Sequence, residues 1–133
     1  MAAPIPRLID AECHRLEMLA LEREHLNPLA SSLLLAELER ALLYPAKDLP
    51  PATITMNAEL DYIDESSGVR RSVRLVYPHE ADVARGRISI LTPIAAGLIG
   101  LTAGDRIDWP DRQGRTRTLR IEKVAPPPAE ETP

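Results

Sequence analysis

The chain has no phenylalanine, one tryptophan and three tyrosines, so any core it builds must be mostly aliphatic. Its single cysteine, Cys13, excludes an internal disulfide and with it the cross-linked framework of a small secreted domain. No apolar run is long enough to span a bilayer, and Met1-Ala2-Ala3-Pro4 lacks the apolar segment of a signal peptide. A reducing, cytoplasmic location is therefore expected, without membrane contact. Positive charge is not in excess either. The formal net charge of −4 argues against nucleic-acid binding as the main task and leaves room only for local basic patches. Gly97, Gly100 and Gly104 lack the spacing and the lysine of a phosphate-binding P-loop, and nothing marks Cys13, Ser31, Ser66 or Ser89 as an activated nucleophile.

What is present is a globular composition, 44% hydrophobic over 133 residues, enough for one ordinary domain or for a small domain with a helical appendage. Asp10 is a candidate N-cap, and Ile9, Cys13, Leu16 and Ala20 make one stripe of a first helix that fails at Glu24-His25-Leu26-Asn27-Pro28. A second helix is expected to begin between Pro28 and Ser32 and to run to Leu43, where Tyr44-Pro45 stops it. The two form a short antiparallel hairpin, or coiled coil, over residues 1–44. Its tip carries Glu22, Glu24, His25 and Asn27.

Three prolines in eight positions make residues 45–52 a stiff linker. The period then changes to two. Ile54, Met56, Ala58, Leu60 and Tyr62 alternate with polar residues, and Val73, Leu75 and Tyr77 do the same beyond the Ser66-Ser67-Gly68 turn, which predicts a β-hairpin. Further strands are expected around Ile88 and Ile90, around Ile107 and Trp109, and from Leu119 to Val124. Between the first two lies Thr92-Pro93-Ile94-Ala95-Ala96-Gly97-Leu98-Ile99-Gly100. There Thr92 caps a short helix, Pro93 suits its first turn and Gly100 closes it. The fold class is α+β, with an antiparallel sheet and one helix over residues 53–125. Residues 126–133, four prolines and two glutamates, are expected to be disordered.

The run from Thr92 to Leu98, followed by Gly104-Asp105, resembles the signature of the C-terminal domain of the Gre transcript-cleavage factors. Leu8-Ile9-Asp10, Ala36-Glu37-Leu38-Glu39-Arg40-Ala41, Ile54-Thr55-Met56-Asn57 and Leu75-Val76-Tyr77-Pro78 follow the order seen in the branch of that family known as regulators of nucleoside diphosphate kinase. The resemblance covers roughly residues 5–124. It implies an FKBP-like C-terminal domain and a non-enzymatic regulator, without cofactor or bound metal. Its partner would be RNA polymerase at the rim of the secondary channel, with nucleic acid contacted only indirectly within that complex, and the protein would act as a monomer. Gre-type domains dock through the loop and helix start at this motif, which here means Leu91, Thr92, Pro93, Ile94 and Leu98. In Gre factors an acidic residue can stand where this chain has Leu91, so that polar contact does not carry over.

Arg112, Arg115 and Arg117 are a candidate basic patch, set against the plainer reading that arginines balance Asp61, Asp64, Asp108 and Asp111 across strands. His14 with Glu17, and His79-Glu80-Ala81-Asp82, offer too few ligands for a metal site. Two other functions compete. One is prolyl isomerisation, for which Tyr62, Tyr77 and Trp109 are the only aromatic lining in the sheet domain. The other is direct binding of nucleoside diphosphate kinase.

Overall fold

The computed structural model describes residues 4–127. A short strand, β1 (Arg7–Ile9), runs straight into α1 (Asp10–Glu22), and a turn at 23–27 leads to α2 (Pro28–Arg40). β2 (Leu42–Tyr44) then returns to pair in parallel with β1, with Arg7 opposite Leu42. α1 starts at Asp10 itself, so Ile9 rather than Asp10 holds the cap position, and the Asp10 carboxylate accepts from the Ala11 N–H at 2.7 Å. α2 stops short of the expected Leu43. Ala41 adopts extended backbone and the Leu42 N–H donates to Pro6 O at 2.9 Å, so strand pairing takes over from the helical ladder.

The five-stranded sheet comprises β3 (Glu59–Asp64), β4 (Val69–Val76), β5 (Arg87–Ser89), β6 (Arg106–Pro110) and β7 (Thr116–Ala125), in the order β5-β4-β3-β7-β6. Most pairs are antiparallel, as expected, but β5 runs parallel to β4, with Arg74 opposite Arg87. The expected strand from Ile54 is shorter than its alternation suggests. Asn57 takes a φ of 68°, a left-handed turn, and regular pairing begins only at Glu59. Within residues 45–52, Ala46–Asp48 form a single 3₁₀ turn. The expectation for the tail falls largely on residues 128–133, outside the described residues.

α3 (Pro93–Leu98) packs between α2 and β6. Leu8, Leu16 and Leu34 from the N-terminal part share one buried cluster with Ile54, Leu75, Ile90, Leu98, Leu119 and Ile121. A close backbone approach holds the two parts together. Arg7 N–H donates to Gly100 O at 2.9 Å, and a Cβ on Gly100, whose φ is +81°, would lie 2.7 Å from the Pro6 Cβ. Only glycine fits there. Among the described residues no helix is long and apolar enough to cross a membrane.

A second tie is polar. Glu12 on α1 reaches across to accept the Met56 N–H at 2.8 Å, and nearby Arg15 donates to the Tyr77 hydroxyl at 3.4 Å. Burial pushes the Glu12 carboxyl above its ordinary value of 4.5, against the lowering effects of the Met56 N–H and the Arg15 charge. The folded state therefore holds this proton more tightly than the unfolded state, and the carboxylate's contribution becomes less favourable as pH rises from the ordinary value through the raised one. Glu12→Gln keeps an acceptor for the Met56 N–H without burying charge. Its melting temperature should match the parent's below pH 4.5 and move above it as pH increases towards neutrality. Thermal melts across that range check this, and a difference independent of pH would contradict it.

Candidate functional site

The Ser89–Thr92 turn that joins β5 to α3 is tightly bonded. Thr92 N–H donates to Ser89 O at 3.2 Å, the Thr92 hydroxyl donates to the same carbonyl at 2.8 Å, and Leu91 N–H donates to the Ser89 hydroxyl at 3.0 Å. Thr92 is also the N-cap, its oxygen accepting from Ala95 N–H at 3.4 Å. Pro93 occupies the first helical position, where a missing N–H leaves no gap in the ladder. The corner is thus fixed by its own backbone and two hydroxyls.

Trp109 on β6 fixes it from beneath. Its indole N–H donates to Pro93 O at 2.6 Å, and its ring lies so close to Gly97 that a Cβ there would come within 2.6 Å of it. Gly97 is small because the indole occupies that volume. The sequence marked Trp109 as a strand residue and as aromatic lining, and neither Trp109 nor Ser89 for this role. The pattern Ser89-x-x-Thr92 was the available signal for the turn.

This geometry corrects the expected docking surface. Leu91, Pro93 and Leu98 are buried, the last completely, and Leu91 and Leu98 belong to the core cluster. Thr92 and Ile94 alone among the five are partly exposed.

The hairpin-tip candidates Glu22, Glu24 and His25 are exposed and Asn27 is half-buried, and they share their end of the molecule with the exposed apolar side chains of Leu21, Leu26 and Leu29. Asn27 stands at the α2 cap position but makes no side-chain cap bond. Among the described residues no group of three or more His, Cys, Asp or Glu side chains is placed to hold a metal ion. Glu17 accepts a bond from the Cys13 thiol at 3.5 Å instead. Burial, that bond and the Glu17 charge push the thiol up to about 11, which leaves it protonated and inert at neutral pH.

The turns after β3 and β6 do lie at one end of the sheet, as Thr118 N–H donates to the Ser66 hydroxyl between them. Arg117, however, is tied to Asp111 at 3.1 Å and Asp64 at 3.5 Å, so only Arg112 and Arg115 of the proposed patch lack an ion pair among the described residues. Desolvation raises the Asp111 carboxyl, but bonds from the Arg115 N–H, the Arg117 side chain and the Gln113 N–H outweigh it and hold the group below 3.8. Asp111 organises its turn as an acceptor. Tyr62 and Trp109 are core residues, and Tyr77 is half-buried against Arg15.

Residues 49–126 match the family model described as "Transcription elongation factor, GreA/GreB, C-term". The chain is 29% identical over 109 residues to the regulator of nucleoside diphosphate kinase of Escherichia coli (strain K12), covering 82% of this chain and 80% of that one. It is 36% identical over 95 residues to the transcription elongation factor GreA of Acidiphilium cryptum, covering 68% of this chain and 59% of that relative. Among solved structures, a prokaryotic GreA/GreB elongation factor from Nitrosomonas europaea superimposes with a TM-score of 0.72 at 34% identity, over 92% of this chain and 99% of the other. With the family model matching residues 49–126, a range that includes the capped corner at Thr92, and its mixed α+β fold shared along nearly the whole length of a solved member, this chain belongs to the GreA/GreB transcription elongation factor family.

Proposed function

We propose that the protein is a non-enzymatic, elongation-factor-like regulator that binds RNA polymerase at the rim of the secondary channel. On this reading the sheet and α3 form the FKBP-like docking domain, residues 45–52 mark its boundary, and the two N-terminal helices are a short hairpin arm. An effect on nucleoside diphosphate kinase levels then follows through transcription rather than through contact with that kinase. The observation that carries the reading is the corner between β5 and α3, where the family's Thr-Pro motif is held rigid by Ser89, Thr92 and the Trp109–Pro93 bond. A rigid corner presents Thr92 and Ile94 without an ordering cost at binding.

The experiment is a binding assay with purified polymerase core. Because Pro93 is buried, altering it would test folding rather than docking. Ile94→Asp places a charge at the partly exposed position instead and should weaken binding at least about tenfold, with circular dichroism and a thermal melt as fold controls. Purified nucleoside diphosphate kinase in the same assay should show no binding. A folded Ile94→Asp variant with unchanged polymerase affinity would sink the docking assignment, and tight binding to the kinase would sink the indirect route.

A further inference from the structure

On the solvent face of the sheet, one cross-strand row reads Glu59 on β3, Arg74 on β4 and Arg87 on the edge strand β5. Glu59 forms an ion pair with Arg74. Arg87, directly opposite Arg74 on the other side, has no ion-pair partner among the described residues. Two guanidiniums side by side in register repel each other, and a sheet gains nothing from placing them so. Glu59 compensates Arg74, but Arg87 is left without a carboxylate among the described residues of the fold, and a ligand is the natural compensation there.

The row forms the wall of a cleft. Arg74 and Arg87 line a cavity of about 260 Å³, with Arg85 at its rim and the backbone of Gly86 as part of its lining. Gly86 O accepts from Arg74 N–H at 2.8 Å, and Gly86 has a φ of +71° with the position of a Cβ 3.2 Å from Ser72 O. A side chain there would be strained and would crowd the wall. Glu59 and Asp61 line the same cleft and Asp82 stands next to Arg85, but all three carboxylates are already engaged. Glu59 holds Arg74, Asp61 accepts from the Ser72 hydroxyl at 2.7 Å, and Asp82 lies 3.6 Å from Arg85 in an exposed pair.

We propose that this cleft is an anion site that takes a phosphoryl group of a small ligand. Arginine forks bind oxyanions with paired hydrogen bonds, and a phosphoryl group has enough acceptor oxygens to meet Arg87 and, in exchange for its exposed pair with Asp82, Arg85, while Arg74 stays with Glu59. A carboxylate, with two oxygens, satisfies one fork. A nucleic-acid backbone is the weaker candidate for the source. It needs an extended basic track, whereas this chain carries a net charge of −4 and the arginines of the cleft are confined to one short stretch of its lining, which also holds Glu59 and Asp61. The cleft shares no lining residue with the Ser89–Thr92 corner, and the proposal does not depend on polymerase docking.

The test is a titration of the full chain with inorganic phosphate at constant ionic strength, followed by backbone amide NMR. Saturable shifts are expected at Ser72, Arg74, Gly86 and Arg87. Arg87→Ser should weaken the affinity at least about tenfold, while Arg112→Ser, which removes the same charge from the β6–β7 turn, should leave it unchanged. Without phosphate, Arg87→Ser should melt at or above the parent's temperature, because it relieves the repulsion, and phosphate should raise the melting temperature of the parent only. A nucleoside triphosphate should bind at least as tightly as phosphate, and acetate much more weakly. Absence of saturable shifts, equal loss in the Arg112 variant, or acetate binding as well as phosphate would each overturn the proposal. A single-stranded oligonucleotide that binds far more tightly than the nucleotide, through the same residues, would overturn the small-ligand assignment.

Discussion

Trp109→Ala should lower the unfolding free energy by about 3–5 kcal/mol, the cost of truncating a large buried aromatic. In a chain of this size that corresponds to a fall in melting temperature on the order of 10 °C or more. The ring is nine-tenths buried between β6 and α3, and it lies against Gly97, which has no side chain with which to fill the space left behind. The indole N–H is also lost from Pro93 O, so α3 loses its anchor at the turn that carries the family motif. Trp109→Phe shifts the balance between the two effects, since it keeps much of the apolar volume while removing the hydrogen bond together with part of the ring that lies against Gly97. It should cost less, of the order of 1–3 kcal/mol.

The converse change tests the same contact. Gly97→Ala introduces a Cβ that would meet the indole at 2.6 Å and should destabilise by about 1–3 kcal/mol through overpacking. In the Trp109→Ala background the same methyl enters an emptied space, so its cost should vanish or reverse. Urea denaturation of the four chains gives the coupling energy directly. Strict additivity would show that Gly97 is small for a reason unrelated to Trp109.

Features set by local chemistry were legible in the sequence. The first helix starts at Asp10, one residue before its reading as the N-cap implies, the second starts at Pro28, the first of the positions expected, and Thr92-Pro93 marked a capped helix start, because each carries its signal within one turn. Pairing partners far apart in sequence were not legible. Leu42-Leu43-Tyr44 continue the apolar run of α2, and nothing local shows that Arg7–Ile9 wait alongside to make them a strand. Thr53, Ile54, Thr55 and Met56 are all buried, so the alternation read as one buried face was no evidence for a strand there. A period of two also says nothing about direction, and β5 proved parallel to its neighbour.

The site was legible to the same degree and for the same reason. The motif located the corner, since capping is local, but which of its residues face solvent depends on what packs beneath. Leu91, Pro93 and Leu98 are buried at a corner whose helix packs on α2 and β6, elements distant in sequence, and Trp109 reaches Pro93 O across 16 positions. The Arg74–Arg87 juxtaposition is a product of register alone. No spacing in the sequence distinguishes these two arginines from the others on the strands.

The chain by itself should not stimulate cleavage of backtracked transcripts. As the family resemblance implies, cleavage factors carry acidic residues on a long helical arm through the secondary channel, where the carboxylates help hold a second magnesium ion at the polymerase active site. Here α1 runs from Asp10 to Glu22, and 13 residues span roughly 20 Å at ~1.5 Å per residue, about half of what such an arm requires. The tip carries Glu22 and Glu24, both exposed, but carboxylates act on magnesium only in contact with it, at about 2.0–2.1 Å. The base of the arm cannot slide forward to make up the distance, because α2 packs on α3 and Glu12 is bonded to Met56 N–H. Docked at the same rim, the protein should instead occupy the entrance used by cleavage-competent relatives. With purified polymerase stalled on a backtracked template, the expected results are no cleavage above background from this protein alone and progressively less cleavage as it is titrated against a fixed amount of a cleavage factor. Ile94→Asp should abolish that competition, since it acts through docking, whereas Glu22→Ala with Glu24→Ala should leave it intact, since the tip supplies no chemistry. Robust cleavage that disappears in the Glu22 and Glu24 variant would mean that the arm reaches the metal after all, through a rearrangement that breaks the contacts of α1 and α2 with the sheet domain.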